Sequence, residues 1–428
     1  MYFCLKPHPL TVVYNFAIQL VNAVLPALGL FNEKIKKGVI GRKKTLNFLL
    51  KNLGKGDTVF WFHCASVGEY EQGLPVFKNL KSISPKAKIV LSFFSPSGYE
   101  IRQENPITPL VVYLPLDTKK NVNLFLKTVR PSLVVFVKYE LWPNYLLALK
   151  SRSAKVFLIS ALFRPQQYFF KPFFKKWRQL LNSFDHIFTQ DKGSKALLKG
   201  IGFNKVTVSN DTRFDRVSSQ LDQNNSLAFV EAFIDNKTCI VAGSTWQEDH
   251  ALLGSYIKES KQDLKFIIAP HKIEKQRIQK LKNSLGDKAV LYTNYNMETL
   301  SKKQVLIVDT IGLLTKLYQY AKVAYIGGAM GSTGLHNTLE AAVFGVPIII
   351  GRNYDRFPEA KAMLAQGGLV SVGDASSFKK ALDAFLDDKN FRHECGQKNK
   401  TYIDENKGAT ALITEKIQAM LILQNSSN

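Results

Sequence analysis

Three segments of this chain place acids or a guanidinium where a folded protein could use them for proton transfer or anion binding. His63-Cys64-Ala65-Ser66-Val67-Gly68-Glu69 follows a run of β-branched and aromatic residues. Glu69 there is either a general base that draws a proton from a hydroxyl or the acid of a Ser66-x-x-Glu69 capping box, and spacing alone weights the capping role. Ser97-Gly98-Tyr99-Glu100 has the same spacing. His63 reads as a strand-end residue tied to backbone. In Lys138-Tyr139-Glu140-Leu141-Trp142-Pro143-Asn144 a second acid, Glu140, precedes a proline suited to the first turn of a helix. Glu140 either favours a helix dipole or holds a sugar hydroxyl and steadies a transition state. Asp211-Thr212-Arg213-Phe214-Asp215 offers Arg213, whose planar fork fits a phosphate or carboxylate, or pairs with Asp211 or Asp215.

A glycine-rich turn marks the C-terminal half: Gly327-Gly328-Ala329-Met330-Gly331-Ser332-Thr333-Gly334-Leu335-His336-Asn337-Thr338-Leu339-Glu340. Glycine lets backbone approach a ligand closely, and helix-start N–H groups bind phosphate. Neither GxxxxGK[ST] nor GxGxxG occurs there, which argues against an ATPase or a dinucleotide dehydrogenase. Glu340 is either the N3 acid after an Asn337 cap or a carboxylate placed to accept both hydroxyls of a ribose.

These segments all follow short apolar runs. Residues 58–66, 88–94, 111–117, 133–138, 155–161, 186–191 and 205–210 read as buried parallel strands with crossover helices between them. Residues 239–244, 265–270, 289–293, 305–310, 323–328, 346–351 and 368–373 repeat that grammar. The fold class is therefore α/β, with two Rossmann-like domains facing each other and ligands beyond the carboxyl ends of the strands. The expected organisation is an N-terminal helix over 1–35, a first domain over 36–218, a polar linker, and a second domain over 236–428.

The 58 Lys and Arg against 34 Asp and Glu leave a net charge of +24, a field that favours anionic partners. Cys4, Cys64, Cys239 and Cys395 form no CxxC pair, so neither a zinc site nor a disulfide framework is indicated, and no acidic cluster suggests a metal. Thr11 to Phe31 carries no charge and is long enough to cross a bilayer, yet Asn15, Gln19, Asn22 and Pro26 equally suit a helix lying in the interface. Lys34, Lys36, Lys37, Arg42, Lys43 and Lys44 follow at once, which keeps this flank cytoplasmic and facing anionic headgroups. Aromatics interleaved with cations over 168–178 suggest an interfacial or acyl-chain-facing segment, or a partly buried helix with snorkelling lysines.

Taken in order, HCASVGE, KYELWPN, DTRFD, DTIG and GLHNTLEAAVFGVP resemble the 3-deoxy-D-manno-octulosonic acid (Kdo) transferases of Gram-negative lipopolysaccharide synthesis, over nearly the whole chain. The resemblance implies the GT-B glycosyltransferase fold and a metal-independent, cofactor-free transfer of Kdo from CMP-Kdo to a lipid A precursor, with inversion. It implies Glu69 as base, Glu140 and Arg213 as transition-state stabilisers, and CMP contacts at Pro270, His271, Ile311, Gly312, Leu313, Asn337, Thr338, Leu339 and Glu340. It also implies catalytic domains on the cytoplasmic side of the inner membrane. This chain has Pro270-His271-Lys272 where the family often has PRH, Arg213 where Lys is common, and Leu313 where an acid is frequent. The competing readings are a GT-B enzyme using a UDP- or GDP-sugar on another membrane acceptor, and a basic protein that docks membrane or nucleic acid without chemistry. No RNA-binding motif supports nucleic acid.

Overall fold

All fourteen apolar runs become strands in the computed structural model, which describes residues 9–260 and 262–425. Cys4 lies outside the described residues. The chain divides into two compact units. In the first, β1 (Val59–Cys64), β2 (Lys88–Phe93), β3 (Val111–Tyr113), β4 (Leu133–Val137), β5 (Lys155–Ala161), β6 (His186–Thr189) and β7 (Val206–Val208) form a parallel sheet of order β3-β2-β1-β4-β5-β6-β7. In the second, β8 (Thr238–Thr245), β9 (Leu264–Pro270), β10 (Ala289–Leu291), β11 (Val305–Ile307), β12 (Val323–Ile326), β13 (Ile348–Gly351) and β14 (Leu369–Val372) take the order β10-β11-β9-β8-β12-β13-β14. Their continuous hydrophobicity has the expected cause: β1 and β4 are buried at every position, because helices cover both faces of the sheet. Each sheet reverses its direction of growth once, at β1/β4 and at β8/β12. At such switch points the flanking loops part and leave room for a ligand.

The second unit ends at Asn406, not at residue 428. Helix Ala409–Asn425 returns to the first unit, where Ile413 and Ile417 are fully buried in a cluster with Phe62, Val76 and Phe77. Asp215 fixes the return, accepting from the backbone N–H of Gly408 at 2.5 Å and of Thr410 at 2.6 Å. The polar stretch read as a linker is also structured. It lies inside the second unit, which begins at Val217. Helix Ala228–Ile234 buries Val230 and Phe233, and the Leu227 N–H donates to the Tyr320 hydroxyl at 2.6 Å.

At the N-terminus, α1 (Pro9–Leu28) and α2 (Glu33–Asn52) are joined by a short turn in which a Cβ on Gly29 would stand 3.2 Å from the Lys36 Cα. α1 does not stand apart as a separate anchor. Its Tyr14 hydroxyl donates to Asp117 at 2.7 Å, and its Asn15 accepts from the Asn144 amide at 2.8 Å. Arg42 leaves the expected headgroup cluster as well: half-buried, it donates to the carbonyls of Phe94 at 2.6 Å and Leu114 at 3.0 Å and lies over the Phe94 ring. The aromatic and basic segment folds as a 3-10 turn over Tyr168–Phe170 followed by Pro172–Ser183, which is kinked at Phe174. Its Phe169 is buried and Arg178 donates to the Phe169 carbonyl, while Lys171 and Lys175 stay exposed, so it is a partly buried segment with cations outward.

Because Ile417 packs into the core of the first unit from the far end of the chain, Ile417→Ala should cost about 2–5 kcal/mol. Urea unfolding followed by circular dichroism should show the first unit losing stability. A loss confined to the second unit would contradict the placement of this helix.

Candidate active site

The carboxyl end of β1 runs into α3 (Val67–Ile83), whose N-cap Ser66 accepts from the Glu69 N–H at 3.4 Å. The Glu69 carboxylate folds back and accepts from the Ala65 N–H at 2.5 Å, one residue before the N-cap, so only the Ser66 half of the expected capping box forms. That bond is not the whole environment. Burial first, and the charge of Glu140 second, push the Glu69 carboxyl up to about 7, against the opposing pull of the Ala65 N–H and Lys138. No capping bond for Ser97 and Glu100 is present; Ser95 is the N-cap there, and Glu100 pairs with Lys37 at 2.8 Å.

Glu140 follows β4, the neighbour of β1, and α4 (Pro143–Lys150) starts three residues later. A nearly buried carboxylate needs donors. The Trp142 indole N–H donates to Glu140 at 2.6 Å, and His63 Nε2 lies 3.0 Å from it. His63 is fully buried, and its Nδ1 meets the Ser92 hydroxyl at 2.9 Å, which also accepts from the Trp61 indole at 2.8 Å. His63 is tied to backbone as expected, its Nδ1 lying 3.1 Å from the Ser92 carbonyl, and it also links β2 to Glu140 through its side chain. Lys138 adopts a left-handed φ of 66° between β4 and this loop, a sparsely populated conformation for a residue with a side chain. The α4 N-terminus is capped from outside by Asp117, which accepts from Asn144 N and Tyr145 N at 2.9 Å each.

Arg213 is drawn toward the same helix through Asp211. Its Nε donates to Asp211 Oδ2 at 2.8 Å, and Asp211 also accepts from Gln72, one turn past Glu69 on α3. Of the two acids weighed as partners for Arg213, Asp211 pairs with it, while Asp215 caps the returning C-terminal helix.

In the second unit the segments read as donor contacts follow β9, β11 and β12, which with β8 form the consecutive run β11-β9-β8-β12. Their shared sheet edge gathers Pro270 and His271, Ile311 to Leu313, and Asn337 to Glu340. Ile311 is among the most exposed apolar residues, at 88%. Gly312, with φ 99°, takes a conformation that suits glycine. The glycine turn is packed tightly: a Cβ on Gly327 would stand 2.5 Å from the Ser244 carbonyl oxygen, and one on Gly328 would stand 2.1 Å from that of Gly334. Asp249, fully buried, ties the turn to β8 by accepting from Gly328 N at 3.0 Å and Trp246 N at 2.7 Å. Beyond the turn, Asn337 caps Leu339 N and donates to Glu340 at 3.1 Å. The helix there, Leu339–Ala342, is a single turn.

Two residues that sequence reasoning did not select complete this edge. Trp246 stacks on His271, with centroids 5.0 Å apart, and donates to His336 Nε2 at 3.0 Å; His271 and His336 stack at 4.1 Å. Burial, reinforced by His271, lowers His336 to about 4, and burial with Lys272 lowers His271. His336 is therefore neutral at pH 7, and Lys272, over the Trp246 ring, is the cation of this group. The signal for Trp246 was its place after a strand at the switch point. Among the described residues no group of three or more His, Cys, Asp and Glu could hold a metal ion.

With this geometry in place, the chain can be compared with known proteins. Residues 40–216 match the family described as 3-deoxy-D-manno-octulosonic-acid transferase (kdotransferase), and residues 250–402 match glycosyl transferases group 1. Residues 40–216 thus resemble the Kdo transferases by family model, and the chain is similar to individual Kdo transferases over most of its length. It is 26% identical to a 3-deoxy-D-manno-octulosonic acid transferase of Chlamydophila psittaci, covering 82% of both chains. It is 25% identical to that of Haemophilus influenzae, covering 84% of this chain and 87% of the relative. A bifunctional glycosyltransferase/methyltransferase of Fusobacterium nucleatum is 26% identical, but the chain spans only 60% of its length. Among solved structures, Acinetobacter baumannii MurG is similar, with a TM-score of 0.54 at 12% identity over 85% of this chain and 99% of that one, a likeness of fold alone. The architecture is GT-B, and the matches are to glycosyltransferases.

Glu140→Gln should lower the Glu69 pKa from about 7 while leaving it above the ordinary value of 4.5, because burial is the larger cause and persists. Carbon-13 NMR titration of the Glu69 carboxyl should read this directly. An unchanged value would show that the two acids are not coupled.

Proposed function

We propose that this protein is a Kdo transferase that moves Kdo from CMP-Kdo to a hydroxyl of a lipid A precursor, with inversion at the anomeric carbon. The first unit binds the acceptor and the second binds the donor. The observation that carries this reading is the Glu69 carboxyl, pushed up to about 7 at the switch point of the first sheet. A base with that pKa is partly ionised at neutral pH and strong enough to take a hydroxyl proton as the new bond forms. The acceptor oxygen attacks the anomeric carbon of Kdo, its proton passes to Glu69, and the bond to the CMP phosphate oxygen breaks. Glu140, held by His63 and Trp142, and Arg213, oriented by Asp211, act on the sugar in the transition state.

On the donor side, Lys272 offsets charge on the departing CMP while the imidazoles of His271 and His336 serve as hydrogen-bonding walls. The Ile311-Gly312-Leu313 and Asn337-to-Glu340 segments hold the nucleoside, with Glu340 on the ribose hydroxyls. Membrane attachment on the cytoplasmic side of the inner membrane fits an amphiphilic acceptor, and the apolar, uncharged stretch Thr11–Leu28 supports it. The reading is tested with purified protein, CMP-Kdo and lipid A precursor, products read by mass spectrometry. Transfer from a UDP- or GDP-sugar in place of CMP-Kdo would move the enzyme to another donor class.

Glu69→Gln should stay folded and bind CMP-Kdo, yet lose on the order of 10²-fold or more in turnover. Near-parental turnover would falsify the base assignment. In the parent enzyme kcat/KM should rise with pH through about 7 as Glu69 ionises, and that limb should vanish in the variant. Glu340→Gln keeps an acceptor for Asn337 but removes the charge, so calorimetry should show CMP affinity about tenfold weaker with little change in melting temperature. Unchanged CMP affinity would make Glu340 a partner of Asn337 alone.

A further inference from the structure

Helix α1 has two faces of opposite character. Thr11, Tyr14, Asn15, Ile18 and Leu25 are half-buried and recur at helical spacing, forming a stripe that leans on the first unit. Val13, Phe16, Leu20, Val24 and Leu28 occupy the opposite arc and are 42–72% exposed, continuing into Phe31 at 90%. The polar residues Asn15, Gln19 and Asn22 all lie away from that apolar arc. The stripe is latched where it carries polar groups: Tyr14 donates to Asp117 and Asn15 accepts from Asn144, and the Tyr14 ring meets Trp177 edge-on at 5.6 Å.

We infer that α1 is not a membrane span but an in-plane docking helix, its Val13-to-Leu28 face seated in one leaflet of an anionic membrane while its opposite face stays latched to the protein. This rests on the membrane attachment proposed above and specifies its geometry. A span would have to surrender both latch bonds and carry Tyr14, Asn15, Gln19 and Asn22 into hydrocarbon. The in-plane arrangement keeps each polar group against protein or at the interface. The occupant is argued from charge. Lys34, Lys36, Lys37, Lys43 and Lys44 are exposed along α2, directly after the turn, and Lys171 and Lys175 are exposed in the segment whose Trp177 touches α1. Such a rim is complementary to anionic headgroups. Glu33 and Glu100, paired with Lys36 and Lys37, offset only part of it.

Val13 and Val24 share the exposed face and stand 11 residues apart, about 16 Å along the axis. Full-length Val13→Cys and Val24→Cys proteins, made with Cys4→Ser since Cys64, Cys239 and Cys395 are buried, are labelled with bimane. They are then bound to phosphatidylcholine–phosphatidylglycerol vesicles carrying spin-labelled lipids at shallow and deep positions. The expected result is equal, shallow depth for both labels, with binding lost in vesicles of phosphatidylcholine alone. Depths differing by about 10 Å or more would establish a span. No quenching at either site would overturn membrane docking of α1 altogether. If either variant misfolds, Phe16→Cys and Leu28→Cys give the same comparison. Kdo transfer to a detergent-dispersed acceptor, measured on the same proteins, separates the two readings: transfer without quenching overturns only the docking, and quenching without transfer overturns only the proposed reaction.

Discussion

A parallel sheet covered on both faces has no place for polar chemistry except at its ends. Every central strand here is apolar at almost every position, so acids, imidazoles and glycine turns are pushed to the carboxyl edges, and the order of the strands decides which of them meet. Because β1 and β4 are neighbours, two acids 71 positions apart in sequence are coupled strongly enough for one to raise the pKa of the other. The same reversal at β8 and β12 brings Trp246 to His336.

Burial then sets the chemical character of each group. Glu140 is met inside the protein by an indole and an imidazole. Glu69 accepts from backbone N–H groups beside Lys138, yet burial and the charge of Glu140 outweigh them and raise its carboxyl. Two glutamates of one sheet edge therefore differ through what surrounds them. The capping role and the proposed catalytic role of Glu69 are compatible, since the bond to Ala65 N orients the carboxylate without neutralising it.

Strand positions were legible because apolar runs of that length, bounded by polar turns, have few other uses in an α/β chain. The segments carrying the candidate acids and glycines were legible for the same reason, as they follow strands. What stayed hidden depended on distant partners. His63 sits within an apolar strand, and nothing near it in sequence announces Ser92 or Glu140. Trp246 is an isolated aromatic until two histidines stack near it. The closing helix carries an ordinary mixture of apolar and polar residues, and only the complementary surface around Phe62 and Phe77 shows which unit it joins. Arg42 looked like one more cation in a basic run, although its carbonyl partners lie 52 and 72 residues away.

The return of the C-terminal helix makes the second unit an insertion within the first. Its entry at Val217 and its exit at Asn406 flank residues that Asp215 holds together through Gly408 and Thr410. Such a joint has the topology of a cassette: both cut points lie on one small patch of the host, so the segment between Arg216 and Lys407 can be exchanged without disturbing the order of the first sheet. Under the proposed function, a change of donor would then need one exchange at one place, leaving the acid pair of the first sheet as it is.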